Sequence, residues 1–314
     1  MVGLCTLLCC LILQGDILRD DSLLVVFWNL ENYFDWKKDS LSNNGSEGEF
    51  TSRGTKHWTR DKFKRKSRVI AKSFLWLADE EGRMPDVIGV AEIENRFVLE
   101  RLLRDTPLSR AGYEIVHYDS PDPRGIDVAL LYRRRSLDLL CSAPLRVDSN
   151  TRDILLACFR RQEGDTLAFL VNHHPSKYGG GTNGRRQFAM RRLKDATDSL
   201  IGSGTAAVVA MGDFNDTPES TEEYSETMVN LAVPLARKGI GTIKYSGKWE
   251  MIDMFFISPA VAENNPGAMM KVARIPFLTV RDKTHSGEKP LRTYTGPRYS
   301  GGVSDHCPIT LMIQ

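Results

Sequence analysis

The chain has 314 residues, 41% of them hydrophobic, so it can bury a sizeable core and fits one large domain better than two small ones. Its 42 Lys and Arg against 40 Asp and Glu leave a formal charge of +2, which names no partner, although a pI near 8.2 leans towards an anionic substrate. Of the six cysteines, Cys5, Cys9 and Cys10 fall in the first ten residues; Cys141, Cys158 and Cys307 form neither a disulfide framework nor a zinc site with CxxC spacing.

From the N-terminus, Leu4–Leu13 is an apolar run of signal-peptide length, too short to span a membrane, with no Lys or Arg before it and no clean cleavage site. Residues 1–21 therefore read as a degenerate signal segment, which implies export to the periplasm if it acts as one and a cytoplasmic protein if it does not. Residues 22–314 read as a single domain. Leu23–Trp28 is an apolar strand that ends in Asn29-Leu30-Glu31-Asn32, and Lys37–Gly54, rich in Ser, Asn, Gly and Glu, reads as a surface loop. A basic run from Lys56 to Lys72 carries Phe63, Ile70, Phe74 and Leu77 at helical spacing. Its charges fit either a solvated helix face or a nucleic-acid patch.

A second strand, Val87–Ala91, stops at Glu92, where a hard cation such as Mg²⁺ finds an oxygen ligand. The strand Gly125–Tyr132 contains Asp127, a site residue or an edge charge, and Arg133 to Arg135 read as a solvated turn. The strand from Thr166 runs into Asn172-His173-His174-Pro175-Ser176-Lys177. Adjacent histidines in an extended chain point to opposite sides, so one of the two faces a given cleft. His173 and Lys177, beside Gly179-Gly180-Gly181, suit an anionic phosphate, while the lack of a Gly-Lys-Ser or Gly-Lys-Thr rules against a nucleotide P-loop. Asn183–Gly202 reads as a helix with Ala189, Leu193, Ala196 and Leu200 inward and Arg185, Arg186, Arg191 and Arg192 towards solvent or substrate.

The stretch Ala206–Met211, then Gly212-Asp213-Phe214-Asn215, is the clearest strand end of all: a rigid sheet aims Asp213 and Asn215 while the loop beyond stays reachable. Trp249–Ser258 reads as one strand with Asp253 inside it, and a buried carboxylate there needs a partner. Asp305-His306, before the last strand Ile309–Ile313, supplies a candidate, since an Asp–His pair orients an imidazole and raises its basicity.

In order, Trp28-Asn29, Val90-Ala91-Glu92, Asn172-His173, Gly212-Asp213-Phe214-Asn215, Ile252-Asp253 and Ser304-Asp305-His306 resemble the endonuclease/exonuclease/phosphatase (DNase I-like) superfamily over about Leu23 to Gln314. Gly241-Thr242-Ile243-Lys244-Tyr245 and Arg292-Thr293-Tyr294-Thr295-Gly296 resemble its Bacteroidetes-type bacterial branch. The resemblance implies an α/β fold, a four-layer α/β sandwich of two packed mixed sheets flanked by helices, with a cleft where the strand ends meet. It implies a divalent metal, Mg²⁺ or Mn²⁺, held by Glu92 with Asn29 and Asp305, and a water activated by His306 oriented by Asp253. It also implies phosphate contact by His173, orientation of nucleophile and phosphate by Asp213 and Asn215, and substrate contacts from His174 and Lys177. Glu31 stands where the abasic-site nucleases of this superfamily carry Asp, whereas His173 is kept as in the DNase I and sphingomyelinase patterns. The implied activity is hydrolysis of a phosphodiester, nucleic acid first, with no protein partner evident. A phosphatase or phosphodiesterase acting on a small or lipid phosphate and a catalytically silent binding module are the competing readings.

Overall fold

The computed structural model describes residues 22–37, 46–148, 150–162, 164–177, 183–205 and 207–314. The signal segment expected over 1–21, the middle of the 37–54 loop and the glycines 179–181 lie outside the described residues. Eight strands lead the chain: β1 (Leu23–Tyr33), β2 (Val87–Ile93), β3 (Tyr113–His117), β4 (Asp127–Arg133), β5 (Leu137–Leu145), β6 (Ile154–Arg161), β7 (Thr166–His173) and β8 (Ala207–Asp213). They build two six-stranded mixed sheets. The first runs Lys271–Val272, Ile309–Ile313, β1, β2, β4, β3; the second runs β5, β6, β7, β8, Asp253–Ile257, Val229–Asn230.

Alternation along β1 explains why the sheets stack. Val25 and Phe27 point into the core between the sheets, while Leu24, Val26 and Trp28 point the other way, against the helix Arg60–Glu80. A strand covered on both faces has no polar side to show, and this is why Leu23–Trp28 is apolar at every position. Trp28 meets Phe74 of that helix edge to face, with ring centroids 6.0 Å apart. Phe63, Ile70, Phe74 and Leu77 form the helix's buried stripe, as their spacing predicts, and Thr59 caps its first turn by accepting from the Lys62 N–H. Arg96–Arg104 also lies on this side, and Asn183–Gly202 covers the second sheet with Ala189 and Leu193, giving helices outside two packed sheets.

Several local expectations change. Residues 249–258 are not one strand: Lys248–Glu250 pairs with Ile243–Tyr245 as a separate hairpin, and the sheet strand begins at Asp253. The reason is Thr242, whose hydroxyl accepts from the Ile252 and Asp253 N–H groups and pins the chain at the break. Asp127 lies on an inner strand rather than an edge and is buried. Arg133 is buried instead of solvated, donating to Ala111 O, and Arg186, expected towards solvent or substrate, is buried against Asp216 at 3.3 Å at the edge of a cavity. Lys66 breaks the solvated face of its helix: it is 1% exposed and bonds the Glu31 carbonyl and the Thr293 hydroxyl. The end of the 37–54 loop is folded too, with a turn of helix at Ser46–Glu49 and Phe50 buried against Phe34.

Candidate active site

Strand register puts three functional side chains abreast. β7 runs parallel to β8 with His173 opposite Asp213, and β8 runs antiparallel to the next strand with Asp213 opposite Asp253. One row of the second sheet therefore presents His173, Asp213 and Asp253 on neighbouring strands. Gly212 is required just before this row, because a Cβ there would sit 2.3 Å from the Asn172 carbonyl oxygen. The first sheet supplies the opposing wall. Asn29 of β1 lies beside Ala91 of β2, and at Glu92 the strand bulges with a left-handed φ of 60°, which turns the carboxylate towards Asn29.

The two walls touch. Asn29 Nδ2 donates to Asp213 Oδ2 at 3.0 Å and lies 3.4 Å from Glu92 Oε1. His173 Nε2 sits 3.6 Å from Asp213 Oδ2 and 3.8 Å from Glu92 Oε1. The other Glu92 oxygen accepts the Asn32 N–H at 2.8 Å and lies 3.6 Å from Arg124. His306 enters from the loop before the last strand, held there because Ser304 donates to the Asn29 carbonyl at 2.6 Å and Trp28 Nε1 donates to the His306 carbonyl at 2.9 Å. Its Nδ1 lies 2.8 Å from Asp253 Oδ2, and its Nε2 lies 3.7 Å from Asp213 and 3.8 Å from Asp305.

Charge follows from this crowding. Burial pushes the Asp213 carboxyl up to about 7, helped by the Asp253 charge and opposed by His306 and by donation from Asn215 and Asn29. Burial alone would lower His306, but the Asp253 and Asp213 charges outweigh it and hold the imidazole well above its usual value. His173 goes the other way: burial, then the Arg152, Arg124 and His306 charges, keep it neutral. Its Nδ1 is buried without a hydrogen-bond partner among the described residues.

These residues suit a hard divalent cation. Asp213, Asp253 and His306 each offer a ligand atom, all within 4.8 Å of one another, and Glu92 adds a carboxylate on the facing wall, while Asn29, expected as a ligand, turns Nδ2 to both carboxylates and spends its oxygen on the Glu31 N–H. Once His306 gives up its proton, Arg124 beside Glu92 is left to offset these carboxylates, and a divalent cation would make up the difference. Asp305 is less available than the resemblance implies, since Arg292 takes it at 3.1 Å.

Not every expected residue joins the cluster. His174 is 2% exposed and points away from His173, packing edge-on against Phe214 and lining a separate cavity of about 440 Å³ with Arg186 and Tyr224. Period-two alternation makes this unavoidable. Lys177 pairs with Asp216 at 3.2 Å on the same side. Asn215, at φ 50°, spends its amide on the His174 carbonyl and its N–H on Asp213, so it buttresses the loop. Glu31 is occupied elsewhere: it takes Arg292 through two nitrogens, both at 2.7 Å, and the Thr293 N–H at 3.1 Å. Arg292 entered the sequence reading only within the motif Arg292–Gly296, without a role; Arg124 and Arg152 are the residues that sequence reasoning missed. Arg152, 7% exposed, donates to the His173 and His174 carbonyls and to Asp122, fixing the end of β7. Each is a lone arginine in a loop, with no local pattern to mark it.

Comparison with known proteins agrees with this fold. The profile described as Endonuclease/Exonuclease/phosphatase family matches residues 24–314. No curated protein sequence matches. Among solved structures, truncated TDP2 of Caenorhabditis elegans has a TM-score of 0.60 at 14% identity, covering 93% of this chain and 97% of its own. The human Nocturnin catalytic domain with bound sulfate scores 0.57 at 16% identity, covering 94% of each chain. Mannosyl-6-phosphatase of Bacteroides thetaiotaomicron scores 0.56 at 15% identity, covering 93% of this chain and 99% of its own. At such identities the likeness is one of fold.

Proposed function

From the premise that this chain belongs to the endonuclease/exonuclease/phosphatase family, a family of phosphoric ester hydrolases, we propose that it cleaves phosphodiester bonds of a nucleic acid strand with a divalent cation, Mg²⁺ or Mn²⁺. The observation that carries the choice of substrate is a track of cations leading away from the cluster. Arg124 and Arg292 flank Asn32 and Glu31 at the rim, and Lys56 shares their cavity of about 320 Å³. Lys56 donates to Gly296 O, Lys62 lies 4.8 Å over the Tyr299 ring, and Arg65 lies 3.4 Å from where a Cβ on Gly301 would be. A line of positive groups beside aromatic rings is what an extended polyanion with stacked bases requires.

Glu92 and Asp213, both oriented by Asn29 Nδ2, would hold the cation, which when bound would neutralise phosphoryl oxygens and weaken the hold of the surrounding aspartates on the His306 proton. His306, oriented through Nδ1 by Asp253, takes the proton of the attacking water at Nε2. His173, neutral, contacts the phosphate as a hydrogen-bond donor rather than as a source of protons. The same 320 Å³ cavity favours a second reading, a small phosphate ester, because it is of monosaccharide or nucleoside size and a structural neighbour is a mannosyl-6-phosphatase.

Assays with Mg²⁺ against single- and double-stranded DNA, RNA, a sugar phosphate and sphingomyelin separate these readings. Cleavage of a polynucleotide that weakens steeply with salt supports the nuclease; turnover of the sugar phosphate alone overturns it.

A further inference from the structure

Strand register brings together two cysteines that their spacing along the chain does not pair. β5 and β6 run antiparallel with Cys141 directly opposite Cys158. Ala157 and Phe159, on either side of Cys158, are buried in the core between the sheets, so alternation turns Cys158 to the outer face of the second sheet. Its cross-strand partner shares that face. Directly paired residues on antiparallel strands have Cα atoms about 4.5 or 5.5 Å apart, according to whether they exchange hydrogen bonds. Both separations fall within the roughly 4.4–6.8 Å that a disulfide bridges. The two thiols, free in this structure, are in hydrogen-bond contact, and burial, then this contact, raises the Cys158 thiol above its usual value.

Exposure divides the pair. Cys141 is open to solvent, while Cys158 is half-buried beside Ala168 of β7. A reagent in solution therefore meets Cys141 first, and Cys158 is within reach of Cys141. The strands differ as well. β5 is the edge of the second sheet, with Leu139 and Leu140 exposed and a bulge between Leu139 and Cys141. β6 is an inner strand, and just before it stands Arg152, which holds the His173 and His174 carbonyls. A covalent tie at this register fastens the least supported strand of the sheet to one that leads from the catalytic wall.

We propose that Cys141 and Cys158 are a site of covalent modification, a thiol pair that a small-molecule disulfide oxidises to a cross-strand disulfide clamping β5 to β6. The Cys141 thiolate attacks one sulfur of the small disulfide, forming a mixed disulfide and expelling one thiolate. The Cys158 thiolate then attacks the Cys141 sulfur and expels the other. In sum the two cysteines lose two protons and two electrons, and the small disulfide is reduced to two thiols. With Cys141 in the mixed disulfide, its charge no longer opposes ionisation of Cys158, which eases the second step. The finished bond closes a loop of chain and stabilises the fold by restricting the unfolded ensemble.

Incubation of the full chain with oxidised glutathione tests this, read by peptide mapping without reductant and by thermal melting. The expected product is the Cys141 peptide joined to the Cys158 peptide and lighter than their sum by two hydrogens. Its melting temperature is raised by several degrees and returns to the starting value in dithiothreitol. Cys141→Ser, at an exposed position, folds as before and shows neither the linked peptide nor the rise. The proposal is overturned if both cysteines stay free, if Cys141 stops at the glutathione adduct or bonds another cysteine, or if the linked protein melts no higher than the reduced one.

Discussion

Asp253 and His306, 53 residues apart in the chain, meet at 2.8 Å with both side chains buried, and the imidazole's far nitrogen faces Asp213. An imidazole so held is oriented and rich in proton affinity, but it must shed its proton before it can act as a base. The pH dependence of the rate is therefore the most direct readout of the pair.

Asp253→Asn removes the largest of the three charges, with Asp213 and Asp305, that keep the His306 proton in place. The imidazole's pKa then falls, and the acid limb of kcat/KM moves to lower pH even as the rate drops. His306→Ala lowers the rate by about 10²- to 10⁴-fold and abolishes that limb. Rate profiles at saturating Mg²⁺ measure both; an acid limb that stays in place, or moves upward, in Asp253→Asn removes His306 from the proposed role.

Glu92→Gln keeps an oxygen able to accept the Asn32 N–H at the bulge, so the fold persists, but it deletes a negative charge from the facing wall. The expected outcome is a Mg²⁺ requirement shifted by about 10- to 100-fold or more, with an unchanged melting temperature in chelator. Titration of activity with Mg²⁺ decides it, and a normal Mg²⁺ midpoint rejects the ligand assignment.

The strand ends were legible because burial on both faces writes itself as an unbroken apolar run, and a polar residue just past such a run has few other places to be. That logic placed Asn29, Glu92, His173 and Asp213 along their strands, while His306 stands in the loop ahead of Ile309–Ile313. It failed where meaning comes from tertiary position alone. Nothing local distinguishes Arg152, which ties down β7, from the exposed Arg134. Lys66 sits in a basic run that reads as solvated, yet the 292–303 segment folds over it. Trp249 and Asp253 look like one strand until Thr242 is seen to hold the chain between them. His174 was assigned to the substrate with Lys177, although the alternation that turns His173 into the cleft turns its neighbour out.

Glu31 shows how a neighbour of the site acts structurally. Its carboxylate is 6% exposed and binds the half-exposed Arg292 and the Thr293 N–H, anchoring the segment that also carries Asp305's partner. Glu31→Ala removes two contacts of Arg292 and the acceptor of the Thr293 N–H; with Arg292 half exposed and still paired with Asp305, and burial raising Glu31 to about 8, the expected cost is about 1 kcal/mol. Urea unfolding in chelator measures this. A stable Glu31→Ala protein that has lost Mg²⁺ binding instead makes Glu31 a metal ligand after all.

The metal-free protein should also respond to pH in a defined direction. Asp213 has its carboxyl raised to about 7 in the fold, against about 4 in an unfolded chain. A group whose folded pKa is raised binds its proton more tightly in the native state. Its stabilisation is full below pH ~4 and is lost as pH climbs through 7. His306, raised above its unfolded value near 6.5, adds a loss of the same sign at higher pH. In chelator these two groups thus destabilise the fold progressively from about pH 4 upward. A divalent cation binds the deprotonated carboxylates and so restores most stability where the loss is greatest. The gain in melting temperature on adding Mg²⁺ should be larger at pH 8 than at pH 5, and Asp213→Asn should flatten the difference. An Mg²⁺ stabilisation that is equal at both pH values would show that the cation does not bind at Asp213.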